Sequence, residues 1–251
     1  MPSTAADPLS PLAELPGVAD AVARARDAVT AVHNHPVNRR GWPATSAEAA
    51  LRAARASAAL DGAPLEPARA DHVEDPMLAG AVRIADERDR LLDAWRTAPM
   101  QGLARLHMLA AADLVPVDEH SRVLGRPVGD AEVSGRLSLL AGFVTGGTSV
   151  PAPVLVAVVH GELLALRPFG TANGVVARAA ARLTAMSSGL DPRGLAVPEV
   201  GHLRHAPRYR EAAAGFAAGT ADGIAGWLLH CCAQWEAGGR EGTSIAEAQA
   251  G

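Results

Sequence analysis

Two arginines bracket a turn of small residues in the stretch Arg167-Pro-Phe-Gly-Thr-Ala-Asn-Gly-Val-Val-Ala-Arg178, and these residue types at this spacing suit the holding of an anion. Gly170, Ala172 and Gly174 let the backbone turn tightly, with Phe169 before the turn and Thr171 within it. Asn173 is placed to cap the helix that follows, whose first-turn N–H groups carry the positive end of the helix dipole into the turn. Arg167 and Arg178 add charge-assisted donors for a phosphate or a carboxylate. The same residues also make a plain helix-loop-helix corner, and on local sequence both readings stand.

Such a turn needs helices to hold it. Residues 152 to 166 are apolar enough for a core helix, which Pro168 stops, and the next helix runs from Asn173 to Ser188. Upstream, Val18, Val22, Val29 and Val32 form one stripe over residues 17 to 32. Ser46 is placed to cap a helix from about residue 47 to Leu60. From 77 to 97, Leu78, Val82, Ile84, Leu91, Leu92 and Trp95 oppose a charged, solvated face, which predicts one long amphipathic helix. Residues 100 to 112, 133 to 145, 208 to 217 and 221 to 236 complete a chain predicted to be all-α. Between Asp113 and Val133, Pro116, Gly125, Pro127 and Gly129 predict a loop with at most a short β-hairpin. The organisation that follows is an N-terminal helical region over 1–97, a core with C-terminal helices over 98–237, and a disordered tail over 238–251.

Composition excludes more than it selects. At 251 residues and 49% hydrophobic, the chain can bury a substantial core. Charge, Pro or Gly breaks every apolar stretch well before the ~20 residues of a spanning helix, so no membrane contact is expected. The first residues lack a basic segment followed by an apolar one, which predicts a cytoplasmic protein. Cys231 and Cys232 read as reduced core thiols. All 23 basic side chains are Arg, which removes Schiff-base chemistry and the Walker lysine. A net charge of -4 and 3% aromatic residues give no nucleic-acid footprint. The pairs His33 with His35 and His202 with His205 have no local carboxylate or third ligand, so no metal site is assigned. His107 and His160 lie on apolar helix faces as core residues, and Ser57, Ser134 and Ser187 lack a nucleophile-elbow context.

The stretch from Arg167 to Arg178 resembles the signature H-P-F-x-[D/E]-G-N-G-R-x-x-R of the Fic (Fido) family. Pro168, Phe169, Asn173, Gly174 and Arg178 match it. Arg167 stands at the position of the catalytic His, Thr171 at that of the acidic residue, Ala172 for a Gly and Val175 for the first Arg. The flanks are similar to the family as well: His160 to Leu166 before the loop, and Pro207 to Ala212 and Asp222 to Leu229 after it. Ser57-Ala-Ala-Leu-Asp61-Gly62 resembles the inhibitory motif [S/T]-x-x-x-E-[G/N], which implies a regulatory role for Ser57, Asp61 and Gly62. There the acidic residue pairs with the second Arg of the signature, here Arg178, and blocks the place of a nucleotide's terminal phosphate. Gly62 also fits a helix C-terminal stop, and the two readings are compatible. The resemblance covers roughly residues 10 to 237. It implies a Fic-like helical core with an N-terminal helical extension, and it places the family's target-clamping flap in the interval after Asp113, which is short here.

In the family the His takes a proton from a target hydroxyl, a task closed to a guanidinium that stays protonated. A Mg²⁺ bridging phosphates wants a carboxylate, and Thr171 has none. The resemblance therefore implies a site without a confident catalytic residue. Phe169, Gly170, Thr171, Asn173, Gly174 and Arg178 are its anion- or nucleotide-binding residues. The candidate ligands are ATP or another nucleotide, or a phosphorylated small molecule; a protein partner is a further candidate. Three functions stay open: a degenerate Fic-like binding or regulatory module, a Fic-fold transferase of changed chemistry, and a structural helical protein without a ligand. Nucleotide affinity separates the first from the third, and turnover separates the second.

Overall fold

Long Ala- and Leu-rich segments punctuated by Pro and Gly favour helices joined by short connections. The computed structural model describes residues 7–65 and 73–249, among which there are thirteen α-helices and no strand. The first six are α1 (Ser10–Ala13), α2 (Val18–Asn34), α3 (Trp42–Leu60), α4 (Pro76–Asp86), α5 (Arg88–Thr97) and α6 (Pro99–Ala111). After a short α7 (His120–Val123) come α8 (Ala131–Gly142), α9 (Ala152–Leu166), α10 (Asn173–Ser187), α11 (Pro198–Arg204), α12 (Ala206–Ala217) and α13 (Ala221–Ala248). The all-α class read from the sequence is the one observed.

The centre of the bundle is α9, buried continuously from Pro153 to Gly161. It contacts α10, α12, α13 and α2, which is why its sequence is apolar on every face. α10 beside it is also mostly buried, and it carries Arg178 and Arg182 inward. α3 and α5 cover the outer side of α10, so the residues before the signature loop and those after it meet in space.

Four expectations change. The amphipathic pattern from 77 to 97 is two helices, not one. It breaks at Glu87, because α4 turns its apolar stripe to α3 and α6 while α5 turns Leu91, Leu92 and Trp95 to α6 and α10. Glu87 pins the break by accepting from Arg90 at 3.0 Å and from Arg105 at 2.7 Å. Ser46 is no cap: α3 starts earlier, at Trp42, and the Ser46 hydroxyl donates to the Arg193 carbonyl at 2.7 Å while accepting from Arg88 at 2.6 Å. The interval after Asp113, expected as a loop with at most a short β-hairpin, holds no strand among the described residues, and in place of an open loop it folds into a 3₁₀ turn over Val117–Glu119 and α7.

The last change is the largest. The expected disordered tail from Gly238 is instead the second half of α13. Its glycines are close-approach points, not flexible ones: a Cβ on Gly238 would stand 2.6 Å from the Pro198 nitrogen, and one on Gly239 would stand 2.7 Å from the Ala28 carbonyl. Ile245 and Ala246 are fully buried beyond them. The reading of the first six residues, and the last two of the expected tail, lie outside the described residues. Among the described residues no helix is long and apolar enough to cross a membrane.

Candidate functional site

The loop between α9 and α10 is built from two side-chain-bearing residues in the left-handed region, Arg167 (φ 46) and Ala172 (φ 54). Each such conformation costs about 1–3 kcal/mol and persists only where the surroundings over-determine it. Asn173 does much of that. It is the first residue of α10 rather than its cap, and its carboxamide closes the turn instead. The Oδ1 accepts from the Phe169 N–H at 3.0 Å, and the Nδ2 donates to the Phe169 carbonyl at 2.6 Å. The Phe169 ring stacks on His107 with centroids 4.1 Å apart and planes within 6°. The Gly125 N–H donates to His107 Nδ1 at 3.0 Å, and the Val128 N–H donates to the Pro168 carbonyl at 2.7 Å. Phe169, read from sequence as an anion-binding residue, thus turns its ring into the core and acts on the loop through its backbone. Burial pushes the His107 imidazole down to about 4, so the ring under the loop is neutral near pH 7.

A carboxylate from another helix sits at the head of α10. α3 ends in a Schellman turn: the Gly62 N–H donates to the Ala59 carbonyl at 3.1 Å and the Ala63 N–H to the Ala58 carbonyl at 3.1 Å, with Gly62 at φ +104. That turn delivers Asp61. Its Oδ2 accepts from the Val175 N–H at 2.9 Å, and its Oδ1 lies 2.9 Å from Nη2 of Arg178. The expected pairing of Asp61 with Arg178 is present, and so is the helix stop at Gly62. A Cβ on Gly174 would overlap the Asp61 carboxylate, so the absence of a side chain there makes the seat.

Arg178 is held from behind as well. Its Nε donates to Ser57 Oγ at 2.8 Å, its Nη2 to the Ser57 carbonyl at 2.8 Å, and its Nη1 to Tyr209 Oη at 3.2 Å. Tyr209 Oη is 2.9 Å from His160 Nε2. Burial, with the Arg178 and His230 charges, holds the His160 imidazole well below its usual range. The ring is therefore neutral near pH 7, and its Nε2 is assigned as acceptor of the phenol proton. Burial pushes Tyr209 up against the pull of Arg178, so it stays a phenol. A chain of polar contacts thus runs from Asp61 through Arg178 and Tyr209 to the central helix.

Above this chain opens a cleft of about 600 Å³. Asp61, Arg167, Gly170, Thr171, Asn173, Gly174 and Arg178 line it, so seven of the sequence-derived positions converge there. Ser57 and Gly62 act from outside it, by holding Arg178 and by turning the chain. Tyr209 and Arg210 on α12, also in the lining, were not singled out from the sequence. The cue available was that Tyr209 is the only tyrosine of the chain, in the segment Pro207 to Ala212 already matched to the family's tyrosine-bearing helix. Leu60, Met77, Leu164 and Ala213 give the cleft an apolar wall.

Among the described residues lining the cleft there is no histidine, and Asp61 is the sole carboxylate, with both oxygens engaged. Among the described residues no group of three His, Cys, Asp or Glu is arranged to hold a metal ion. A phosphate-bridging divalent cation therefore does not fit these residues, since Thr171 offers only a hydroxyl. The histidine pairs noted in the sequence separate: His33 pairs with Asp191 at 2.7 Å, and His202 meets His230 at 3.1 Å.

The helical bundle that carries this site has the fold of solved Fic proteins. Across 92% of its length the chain matches Fic-1 from C. elegans with a TM-score of 0.71 and 14% identity, covering 73% of that chain. It also matches a Fic family protein from Desulfovibrio desulfuricans G20 over 91% of its length, with a TM-score of 0.65, 17% identity and 74% of that chain covered. At these identities the likeness is one of fold. No family profile and no curated protein sequence matches the chain.

Proposed function

We propose that this Fic-fold chain binds a nucleotide or another anion in the cleft without transferring AMP, as a cytoplasmic regulatory or partner-binding module whose entry is gated by Asp61. The observation that carries this is the seat of Asp61: a carboxylate already occupies the helix N-terminus and the Arg178 guanidinium, the donors that a phosphate would use. The case against transfer comes from the residues at the reacting end. Arg167 offers a guanidinium with no proton-accepting atom, Tyr209 is raised by burial, and Asp61, the one carboxylate of the described lining, has both oxygens engaged by the Val175 N–H and Arg178. Loss of a general base alone costs ~10²–10⁴ in rate.

Two measurements test it. Incubation with labelled ATP and Mg²⁺ should leave the protein and added target proteins unlabelled, and robust labelling on a hydroxyl would overturn the reading. By calorimetry, Asp61→Ala should raise affinity for ATP, and Arg178→Ala, with folding verified by circular dichroism, should abolish it. Each charge-assisted contact at such a site is worth roughly 1–3 kcal/mol. Equal, negligible binding in wild type and both variants would leave a structural helical protein.

A further inference from the structure

The cleft is not balanced in charge. Among the described residues, three arginines, Arg167, Arg178 and Arg210, line it against the single carboxylate of Asp61. Asp61 and Arg178 neutralise one another at 2.9 Å. Arg167 at the end of α9 and Arg210 on α12 are exposed and have no ion-pair or side-chain hydrogen-bond partner among the described residues. Two arginines of the lining are therefore left without an acidic partner among the described residues. Arg167 also keeps its left-handed backbone (φ 46), a strained state of the kind retained where a side chain has to be placed.

The ligand chemistry follows from what those groups can hold. A guanidinium presents a planar fork of donors that matches phosphate oxygens two at a time. Two such forks besides Arg178 are enough for two phosphoryl groups, and the apolar wall of Leu60, Met77 and Leu164 suits an organic base. The cleft volume, about 600 Å³, lies in the range of small-molecule sites. A divalent cation has no comparable support, because the described residues of the lining offer it neither a free carboxylate nor a histidine.

Building on the anion-binding reading above, we infer that the cleft takes the diphosphate of a nucleoside di- or triphosphate stripped of its divalent cation, with Arg167 and Arg210 clamping it in the metal's place. Mg²⁺ then acts against binding, because it cancels the phosphate charge on which the clamp works.

The test is calorimetric titration with ADP, in EDTA and in excess Mg²⁺ at matched ionic strength. It is run on the wild-type protein and on Asp61→Asn, which removes the competing charge and keeps the side-chain shape. Arg167→Ala and Arg210→Ala are then added singly to Asp61→Asn; both side chains are exposed, so the fold tolerates their loss. ADP should bind more tightly in EDTA than in Mg²⁺, and each arginine variant should weaken binding in EDTA by about three- to tenfold. Binding that requires Mg²⁺, that is equal in the two buffers, or that ignores either arginine overturns the clamp and leaves the anion-binding reading standing. ADP that binds no form in either buffer removes both.

Discussion

At Asp61 one short carboxylate serves two unlike donors, the Val175 N–H at the head of α10 and the buried Arg178 guanidinium. Asp is one methylene shorter than the Glu of the resembling motif, yet from its place in the Schellman turn it reaches both donors at 2.9 Å. Gly174 is the other half of the fit. In Gly174→Ala the new Cβ displaces the carboxylate, which costs about 1–3 kcal/mol of charged hydrogen bonding. About 0.5–1 kcal/mol returns through helix propensity, so the net loss alone is a poor readout. The double-mutant cycle decides instead. By denaturant unfolding, Asp61→Ala should cost much less in the Gly174→Ala background than in wild type, and additive losses would place the role of Gly174 elsewhere. The Asp61–Arg178 pair was legible in the sequence because both residues sit in short motifs. Tyr209, which holds the same guanidinium, lies 31 residues from Arg178 and meets it only through packing of α12 against α9, which no local pattern encodes.

Among the elements, α9 and α10 could be read almost to the residue, since Pro168 and the small-residue turn punctuate an otherwise apolar run. The break between α4 and α5 was hidden because the apolar repeat continues in phase through Glu87; only the neighbours differ on its two sides. The end of α13 was misread for a more general reason. Gly, Glu and Ser are the composition of a loose tail, and they are equally the composition of a helix that lets another backbone come close. Gly239 is where α13 crosses α2, the most extensive helix pairing of the fold. Gly239→Ala forces a Cβ to within 2.7 Å of the Ala28 carbonyl. Overpacking of this kind costs about 1–3 kcal/mol, against at most about 1 kcal/mol regained in helix propensity. Thermal unfolding should show a lowered Tm, and an unchanged Tm would mean that α13 slides on α2 without penalty.

For the molecule as a whole, four histidines are held neutral by burial. His107 and His230 are lowered to about 4, and His160 and His202 fall well below their usual value of 6.5. Because the folded values lie below the unfolded one, the unfolded chain takes up protons first as pH falls. Their contribution to stability is complete above about 6.5 and is lost progressively as pH drops below it, at up to about 1.4 kcal/mol per pH unit for each group. Glu199, raised by burial despite Arg182, works in the opposite direction, with one proton against four. Tm should therefore fall steeply between pH 7 and pH 5, and a flat or rising profile would contradict the burial of this cluster. On the proposed function, Asp61 has a further consequence at this scale, because it is a ligand that the chain supplies to itself. A tethered group competes at an effective concentration of about millimolar. A free anion displaces it only when its own concentration, weighted by relative affinity, passes that level. The cleft then behaves as a threshold element, answering to an abundant metabolite and silent toward a trace one. Ser57 and Tyr209 set the threshold through how firmly they hold Arg178 against the carboxylate.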